Sequence, residues 1–289
     1  MNITITGNLG SGKSSIGKVL KEKGFEIVST GNIFRELAME KGLSVEEFNR
    51  QVNEATRNGD RSVDKMIDDT TAKIGRERDN IMFDSRLAWN FVPDSFKVFV
   101  ITDIDEASRR VFNDSMRANS ESYESQEACK KALVHRQEME SVRFKEIYEI
   151  DYYDMSNYNL VIESTSAAPA EIAAEILEKM EEYKKGDFIK LMELNPSSIF
   201  VSKNAEKEGI VTVNELNGTW FLKSGLDELV KAIAAGRKFI PVKVDASFEP
   251  QIDEKEVYET FAKENKISYG KYPTESLRAE KGFMNFSNI

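Results

Sequence analysis

The sequence contains very little cysteine or histidine: Cys129 and His135 are the single members of these two types among 289 residues. One cysteine excludes an intramolecular disulfide, and this pair alone is too small a set for a zinc site. No apolar run approaches the roughly 20 residues of a membrane-spanning helix, and the N-terminus lacks a basic region followed by an apolar stretch. We therefore expect a cytoplasmic protein without a membrane partner.

The sequence also lacks a basic surplus. It carries 40 Lys and Arg against 50 Asp and Glu, which gives a formal net charge of −10. Because binding to a phosphate backbone needs a clustered basic surface, this balance argues against a nucleic-acid partner. The hydrophobic share of 40% and the length suit a globular chain with one large domain or two smaller ones.

Strand and helix signals alternate in the first half of the chain. Short apolar runs, "NITIT", "FEIVST", "NIMFDS", "FKVFVIT" and "NLVIES", are separated by amphipathic or charged helical stretches. Among the helical signals, Ser44 and Glu47 fit a capping box, and residues 105–149 are predicted to be helical. This alternation predicts an α/β fold in which a parallel sheet is covered by helices on both faces.

The pattern changes after Gly186, where the helical stretch "APAEIAAEILEKMEEYKKG" ends. Strand-like stretches with a turn at Asn217 and Gly218 follow, and two short helical stretches come after the turn. We expect a domain boundary near this point, so that residues 1–186 form the first domain. Residues 187–289 are predicted to form a smaller α+β domain with a loosely structured tail over about 270–289.

The stretch "GNLGSGKSSIG" follows the first strand directly. Its residues Gly7, Gly12, Lys13 and Ser14 fit the pattern G-x-x-x-x-G-K-[ST] of a phosphate-binding loop, or P-loop. The glycines let backbone N–H groups approach phosphate oxygens, and the helix that follows presents its positive end. Lys13 is expected to reach the β- and γ-phosphates, and the Ser14 hydroxyl to bind Mg²⁺. The stretch predicts a nucleoside-triphosphate site in a P-loop NTPase-type fold.

Two further stretches end strands of the same predicted sheet. In "STGNIFRELA", the Thr30 hydroxyl and the Arg35 guanidinium suit a second phosphate, although a helix cap with a surface arginine explains the same residues. In "NIMFDSRLAWNF", Asp84 ends the strand as an acid that assists Mg²⁺, and Arg86 is placed to face the same cleft. The apolar residues after it are expected to pack, with base stacking by Trp89 as an alternative.

The stretch from Arg109 to Tyr158 is rich in charged residues. Its Arg136 and Arg143 are seven residues apart, or two helical turns, and therefore share a helix face. Arginines that close over a transferred phosphoryl group stabilise the negative charge on its oxygens. The alternative is a solvated helix with pairs such as Arg136 with Glu140.

Residues 1–179 resemble nucleoside monophosphate kinases, and most closely the short cytidylate kinases typified by archaeal proteins. The resemblance rests on "GNLGSGKSSIGKVL", "STGNIFRELAMEKGLSVEEFN", "SVDKMID", "FDSRLAW" and "HRQEMESVRFKEIYEIDYYDMSNYNLVIES". The last is the most specific, with an arginine pair, then K-E-I-Y-x-I-D, then D-x-S-x-Y-x-L-V-I. The resemblance implies ATP with Mg²⁺ as the phosphoryl donor and CMP or dCMP as the acceptor.

The resemblance also implies roles for individual residues. The donor phosphates would be bound by Gly10, Ser11, Gly12, Lys13, Ser14 and Ser15. The acceptor site would be lined by Arg35, Asp64, Arg86, Asp151 and Asp154. In that second set the arginines would bind the phosphate, Asp64 would lie near the base or ribose, and the other two acids would orient the arginines or the sugar. Arg110 would lie against the adenine, whereas Arg136 and Arg143 would be lid arginines that bridge donor and acceptor.

The chain departs from the family pattern at three places. Asn32 replaces the acid that often follows Thr-Gly, and Ser85 replaces the glycine of the usual D-G-R or E-G-R. A side chain at position 85 is expected to narrow the acceptor pocket or to change its preference. Residues 114–130, which include Arg117, are expected to form a mobile lid, but this segment is rich in serine and less basic than the family pattern leads us to expect.

The second half faintly resembles the ParB/sulfiredoxin-like fold through "IKLMELNPSSI" and "NGTWFLKSGLDELVKAIAAGRKFIPVKV". Its corner, from Lys223 to Asp227, lacks the histidine and arginine that carry the chemistry of such proteins. We therefore expect an inactive or repurposed module that binds a regulatory ligand, a partner or a second copy of the chain in a homo-oligomer.

Three functions stay open from the sequence. An ATP-dependent cytidylate kinase is the leading one, and a P-loop kinase for another nucleotide or a small metabolite is the second. The third is a regulatory protein that senses ATP without turnover, against which Arg136 and Arg143 together argue. The lack of an N/TKxD-like guanine signature weighs against a GTPase.

Overall fold

The structure, a computed structural model, describes residues 1–114, 123–186, 188, 190–273 and 284–286. Within these ranges the chain forms ten strands and ten α-helices. The strands are β1 (Ile3–Gly7), β2 (Glu26–Ser29), β3 (Ile81–Asp84), β4 (Phe96–Ile101), β5 (Leu160–Glu163), β6 (Leu191–Leu194), β7 (Ile199–Val201), β8 (Thr212–Leu216), β9 (Thr219–Ser224) and β10 (Ile240–Val244). The helices are α1 (Lys13–Glu22), α2 (Thr30–Glu40), α3 (Val45–Arg57), α4 (Ser62–Glu77), α5 (Ala88–Phe91), α6 (Ile104–Phe112), α7 (Gln126–Tyr148), α8 (Pro169–Lys185), α9 (Leu226–Ala234) and α10 (Lys255–Asn265).

Strands β1 to β5 run parallel in the order β2-β3-β1-β4-β5. The central strand is β1, in which Ile5 is level with Asp84 of β3 and with Val98 of β4. Because parallel strands end at the same edge of a sheet, the loop after β1 and the ends of β3 and β4 lie together. The prediction of an α/β fold with a parallel sheet is confirmed for this half of the chain.

Helices cover both faces of the parallel sheet, and the alternation along β4 shows why. Val98 belongs to one buried cluster with Ile16 of α1 and Ile176 of α8. The next residue, Phe99, points to the opposite face, where its ring centroid lies 5.0 Å from that of Tyr158. Successive side chains of a strand point to opposite faces, so the apolar run over residues 98–101 needs cover on both sides.

The residues after Gly186 extend the same sheet. Strand β6 pairs in parallel with β5, where Met192 is level with Val161, and β10 pairs antiparallel with β6. The order then continues through β8 and β9 to β7, which gives ten strands in all. The predicted hairpin is confirmed, since Asn217 and Gly218 join β8 to β9 with φ values of 48° and 81°. Two domains divided near 186 stay a prediction.

Residues 274–283 and 287–289 of the predicted loose tail lie outside the described residues, so this tail stays a prediction. Three further residues of it, 284–286, are described. The backbone of Asn285 pairs with the segment around Asp154, and Phe286 is buried. This contact could not be predicted, because three residues are too few to show any periodicity. A single backbone pairing and one buried ring hold the segment in place.

The predicted helical stretch 105–149 contains two helices, α6 and α7. Residues 115–122 of the predicted lid, with Arg117, lie outside the described residues, whereas residues 126–130 belong to α7. Among the helices that the structure describes, none is both long and apolar enough to cross a membrane.

Candidate nucleotide-binding and phosphoryl-transfer site

The loop between β1 and α1 has the backbone that the P-loop pattern predicts. Gly10 and Gly12 adopt left-handed conformations with φ values of 78° and 86°. A Cβ atom on Gly10 would lie 2.7 Å from the carbonyl oxygen of Ala107, and one on Gly7 would overlap the carbonyl oxygen of Val100. Only glycine fits such close approaches, so the loop turns tightly and leaves the N-terminus of α1 open to an anion.

Two side chains at the start of α1, Lys13 and Ser14, are the predicted contacts for a nucleotide phosphate and a divalent cation. The Lys13 ammonium donates to the carbonyl oxygens of Gly7 and Asn8, at 3.2 Å each, so it lies over the loop. The Ser14 hydroxyl donates to Asp84 at the end of β3, with 3.3 Å between the oxygens. A hydroxyl and a carboxylate on neighbouring elements are oxygen ligands that suit Mg²⁺, so the residues fit the ion that the sequence implied.

Buried polar side chains, which the sequence did not reveal as functional, hold the P-loop against the strand ends. The Asn8 amide bonds both backbone groups of Thr102, with Nδ2–O at 3.1 Å and N–Oδ1 at 3.2 Å. The Ser164 hydroxyl donates to the Ser11 carbonyl oxygen at 2.9 Å and contacts the Thr102 hydroxyl at 2.5 Å. The available signal was a polar residue directly after an apolar strand, at the end of both β4 and β5. These bonds fix the shape of the loop.

Arg110 lies beside the loop between β1 and α1. It donates to the carbonyl oxygens of Ser164 at 2.6 Å and Thr165 at 3.0 Å, and its Nε donates to Glu106 at 2.7 Å. One of its guanidinium nitrogens would be 3.7 Å from a Cβ atom on Gly12. Its contact with adenine stays a prediction, and its place at the P-loop favours it.

Arg86 is bound to the P-loop itself. Its guanidinium donates to the Gly7 carbonyl oxygen and, through Nε, to Glu140 with 2.9 Å between the atoms. The side chain is only 18% exposed. Burial lowers the pKa of Arg86, but the Glu140 carboxylate and smaller contributions from other neighbours, Asp84 among them, together outweigh burial, so the net pKa is raised. Arg86 is therefore a fixed cation at the junction of β1 and β3.

Glu140 is a site residue whose role the sequence did not show. It accepts from Arg86 with one oxygen and from Nε of Arg136, at 3.0 Å, with the other. Burial raises the pKa of Glu140, but the two arginines together lower it by more, so the net pKa is below the usual range. From the sequence, the four-residue spacing between Arg136 and Glu140 indicated only an ion pair on a solvated helix. The carboxylate instead joins Arg136, a predicted lid arginine, to Arg86, a predicted acceptor-site arginine.

The second lid arginine is bound to the neighbouring helix α4. Arg143 donates to Asp64 at 2.7 Å, which brings a predicted lid residue and a predicted acceptor residue together. One turn further along α4, Asp68 accepts from the Tyr148 hydroxyl at 2.7 Å. These two contacts fasten α4 to α7 on the acceptor side.

The remaining predicted acceptor residues are more loosely connected to this cluster. Arg35 is exposed on α2 and donates to Asn32, and Thr30 begins the same helix. Asp151 accepts from the backbone N–H of Tyr153, and Asp154 from that of residue 156, each at 3.0 Å. Both carboxylates therefore stabilise the turn between α7 and β5.

Serine at position 85 fits its turn without backbone strain. Its side chain is buried and accepts from the backbone N–H of Leu87 at 3.3 Å, and its φ is not positive. Trp89 is 7% exposed and packs edge-on to Tyr158, with 5.6 Å between ring centroids. Packing is therefore confirmed for Trp89, and the expected effect of Ser85 on the acceptor pocket stays a prediction.

Comparison with known proteins identifies the family. A family model described as the cytidylate kinase-like family matches residues 2–166. The chain belongs to this family. The match contains the P-loop, Asp84, Arg86 and both lid arginines.

Individual known proteins are similar to this chain over about two thirds of its length. A cytidylate kinase from Methanocella arvoryzae is 32% identical over 186 residues, which are 64% of this chain and 99% of the relative. An S-adenosylmethionine-dependent nucleotide dehydratase from Lacinutrix mariniflava is also 32% identical, over 65% of this chain and 37% of that protein. The solved shikimate kinase from Acinetobacter baumannii has a TM-score of 0.40 and 16% identity, over 63% of this chain and 94% of its own. Family and relatives support a nucleotide kinase with small-molecule substrates.

The α4–α7 contact predicts a pH dependence of stability. Burial raises the pKa of Asp68 from 3.8 to about 6, although the hydrogen bond from Tyr148 opposes the shift. A raised carboxyl pKa adds stability at pH values below 3.8, and this contribution disappears as the pH rises through about 6. At about 1.4 kcal/mol per pKa unit the full shift corresponds to about 3 kcal/mol. Asp68 is only partly buried, so solvent screens part of this effect, and we expect the free energy of unfolding to fall by about 2 kcal/mol across this window.

Denaturant unfolding at a series of pH values tests this dependence. Asp68→Asn keeps an acceptor for the Tyr148 hydroxyl and cannot ionise, so it should flatten the curve between pH 3.8 and about 6. Asp69→Asn, at the next and exposed position of α4, should keep the slope. Equal slopes in the wild type and in Asp68→Asn would contradict the assignment.

Proposed function

We propose that the chain is a cytidylate kinase, which transfers the γ-phosphoryl group of ATP to CMP or dCMP and releases ADP with CDP or dCDP. One observation carries the proposal: Arg86, an acceptor-site arginine, donates to the carbonyl oxygen of Gly7 in the donor loop. An acceptor phosphate on this guanidinium would therefore be adjacent to the donor phosphates on Lys13. Such closeness is the main requirement for transfer between two bound phosphates.

The reaction requires positioning and charge neutralisation rather than a strong base. An oxygen of the ionised acceptor phosphate attacks the γ-phosphorus, a new P–O bond forms, and the bond from that phosphorus to the bridging oxygen of ADP breaks. The acceptor phosphate is already an anion, so no proton must be removed before attack. Mg²⁺, which Ser14 and Asp84 are suited to hold, supplies further neutralisation of the donor phosphates.

The arginines supply the charge on the acceptor side. Arg86 and Arg136 share the Glu140 carboxylate, so their guanidinium groups are held close to one another although both are cations. Arg143 lies on the same helix, held by Asp64 at 2.7 Å. Binding of a nucleotide to Asp64 would release this arginine towards the phosphates, where it would stabilise the charge on the transferred group.

ADP release by the purified chain tests the proposal. ATP with Mg²⁺ is offered with CMP, dCMP, UMP, AMP and GMP, and the products are separated by chromatography. We expect saturable ADP release with CMP or dCMP and formation of the matching diphosphate. A response to another nucleotide alone would replace the acceptor but keep the kinase. ATP binding without turnover on any acceptor would favour an ATP-sensing protein and overturn the proposal.

The role of Glu140 gives a second test of the same mechanism. Glu140→Gln removes the charge that holds Arg86 and Arg136 together, and charge-assisted hydrogen bonds are about twice as strong as neutral ones. We expect kcat to fall about tenfold while the KM for ATP changes little. Glu138→Gln is the matched control, because Glu138 is 47% exposed on the same helix. Unchanged kcat in Glu140→Gln would show that the bridge plays no part in turnover.

A further inference from the structure

A short segment from the far end of the chain is paired with the turn that follows α7. The backbone N–H of Asn285 donates to the Tyr153 carbonyl oxygen at 2.8 Å, and the N–H of Met155 donates to the Asn285 carbonyl oxygen at 2.9 Å. These two bonds form a parallel bridge opposite Asp154. The family match ends at residue 166, well before this segment.

The segment is anchored to the C-terminal half of the sheet. The Phe286 side chain is 5% exposed and meets Trp220 of β9 edge-on, with 5.3 Å between ring centroids. Met284 packs against the same apolar cluster, which also contains Tyr152 and Tyr153. The segment therefore connects β9 with the turn after α7.

The paired turn touches the acceptor side of the site. It carries Asp151 and Asp154, the two acids that the resemblance assigns to the acceptor site. The ring centroids of Tyr152 and Tyr153 lie 4.2 Å apart, and both rings belong to the same buried cluster as Leu87, the residue after Arg86. A shift of the Tyr153 backbone would therefore move both the acids and the surroundings of the acceptor-site arginine.

We propose that Met284–Phe286 is a positioning segment for the acceptor site, through which the C-terminal half of the chain sets the affinity for the nucleoside monophosphate. The segment acts through the turn and does not touch the substrate. This inference rests on the proposed function, since an acceptor site must exist for the segment to act on it. It gives residues 187–289 a specific task within the kinase reaction.

Two substitutions of one residue separate the backbone contact from the side chain. Asn285→Pro removes the N–H that donates to Tyr153, because proline has no backbone donor. Asn285→Ala keeps both backbone bonds. A chain that ends at residue 283 lacks the whole segment. Ile210→Ala is the control for a substitution elsewhere in the C-terminal part of the chain, because the Ile210 side chain is 58% exposed.

Titration calorimetry with CMP and separately with ATP is the main measurement. We expect Asn285→Pro and the shortened chain to raise the Kd for CMP about threefold to tenfold, the range that one or two hydrogen bonds supply. The Kd for ATP should stay constant, which also shows that the variants fold. Hydrogen exchange should be faster at the Met155 amide in these two variants. Asn285→Ala, which keeps both backbone bonds, should have a smaller effect than Asn285→Pro, and Ile210→Ala should resemble the wild type.

The outcomes separate the inference from the proposed function. If the wild type binds CMP and both disrupting variants bind it equally well, the inference fails and the kinase stands. Equal weakening of CMP and ATP binding would indicate a general structural role and overturn the inference. If the wild type binds ATP but none of the monophosphates, the proposed function fails and the inference fails with it.

Discussion

Replacement of Lys13 by alanine is expected to reduce kcat/KM for ATP at least about a hundredfold, the loss typical of one removed charge-stabilising donor. The Lys13 ammonium lies 3.2 Å from each of two P-loop carbonyl oxygens, at the mouth of the α1 N-terminus. A donor phosphate would meet this charge directly. No other lysine of α1 is placed to replace it, since Lys18 and Lys21 are exposed further along the helix.

Steady-state ADP release measures the loss, with circular dichroism to confirm that the fold is intact. Lys18→Ala is the matched control, because it removes an exposed lysine from the same helix and should keep full turnover. Turnover by Lys13→Ala at about half the wild-type rate or more would refute the donor-site assignment.

Replacement of Arg86 by alanine should raise the KM for the acceptor about tenfold to a hundredfold, and that for ATP far less. The guanidinium is a bidentate donor to phosphate that alanine cannot replace. Arg86→Lys keeps the charge but loses the planar pair of donors, so we expect an intermediate effect. Alanine leaves Glu140 without one of its two arginine partners and could therefore destabilise the fold. The lysine variant keeps a cation beside Glu140, so its effect on KM can be separated from misfolding.

The Arg86 experiment compares the KM of both substrates in each variant. Arg78→Ala is the control, since Arg78 pairs with Glu26 on the exposed far side of β2. If Arg86→Ala raised both KM values equally, Arg86 would belong to the P-loop rather than to the acceptor site. Its hydrogen bond to Gly7 makes this the most informative alternative.

Local chemistry made much of the kinase half predictable. The P-loop spacing predicted a strand, a turn that needs glycine and a helix, and the structure has Gly12 in a left-handed conformation directly before α1. The capping box of Ser44 and Glu47 is also confirmed, with reciprocal bonds of 3.1 and 3.0 Å. In both cases the residues that specify the structure are close in sequence.

The sequence could not reveal contacts that depend on tertiary packing. Glu140 and Arg86 are 54 positions apart, and Asn8 and Thr102 are 94 apart. No local periodicity encodes such a partner, so a buried bridge and a solvated helix pair look alike in the sequence. The pairing of Asn285 could not be predicted for the same reason, since its partner Tyr153 is far away in the sequence.

The continuous sheet has a consequence for where the chain is open to other strands. In the whole chain β6 covers β5, and the sheet ends among the described residues at two short strands, β2 with four residues and β7 with three. A chain cut at residue 186 would leave β5 as a bare edge whose four side chains are all buried in the full structure. Unpaired N–H and C=O groups along an apolar strand invite association with other chains. In the full chain β6 pairs with this edge, so the backbone groups of β5 have partners on both sides.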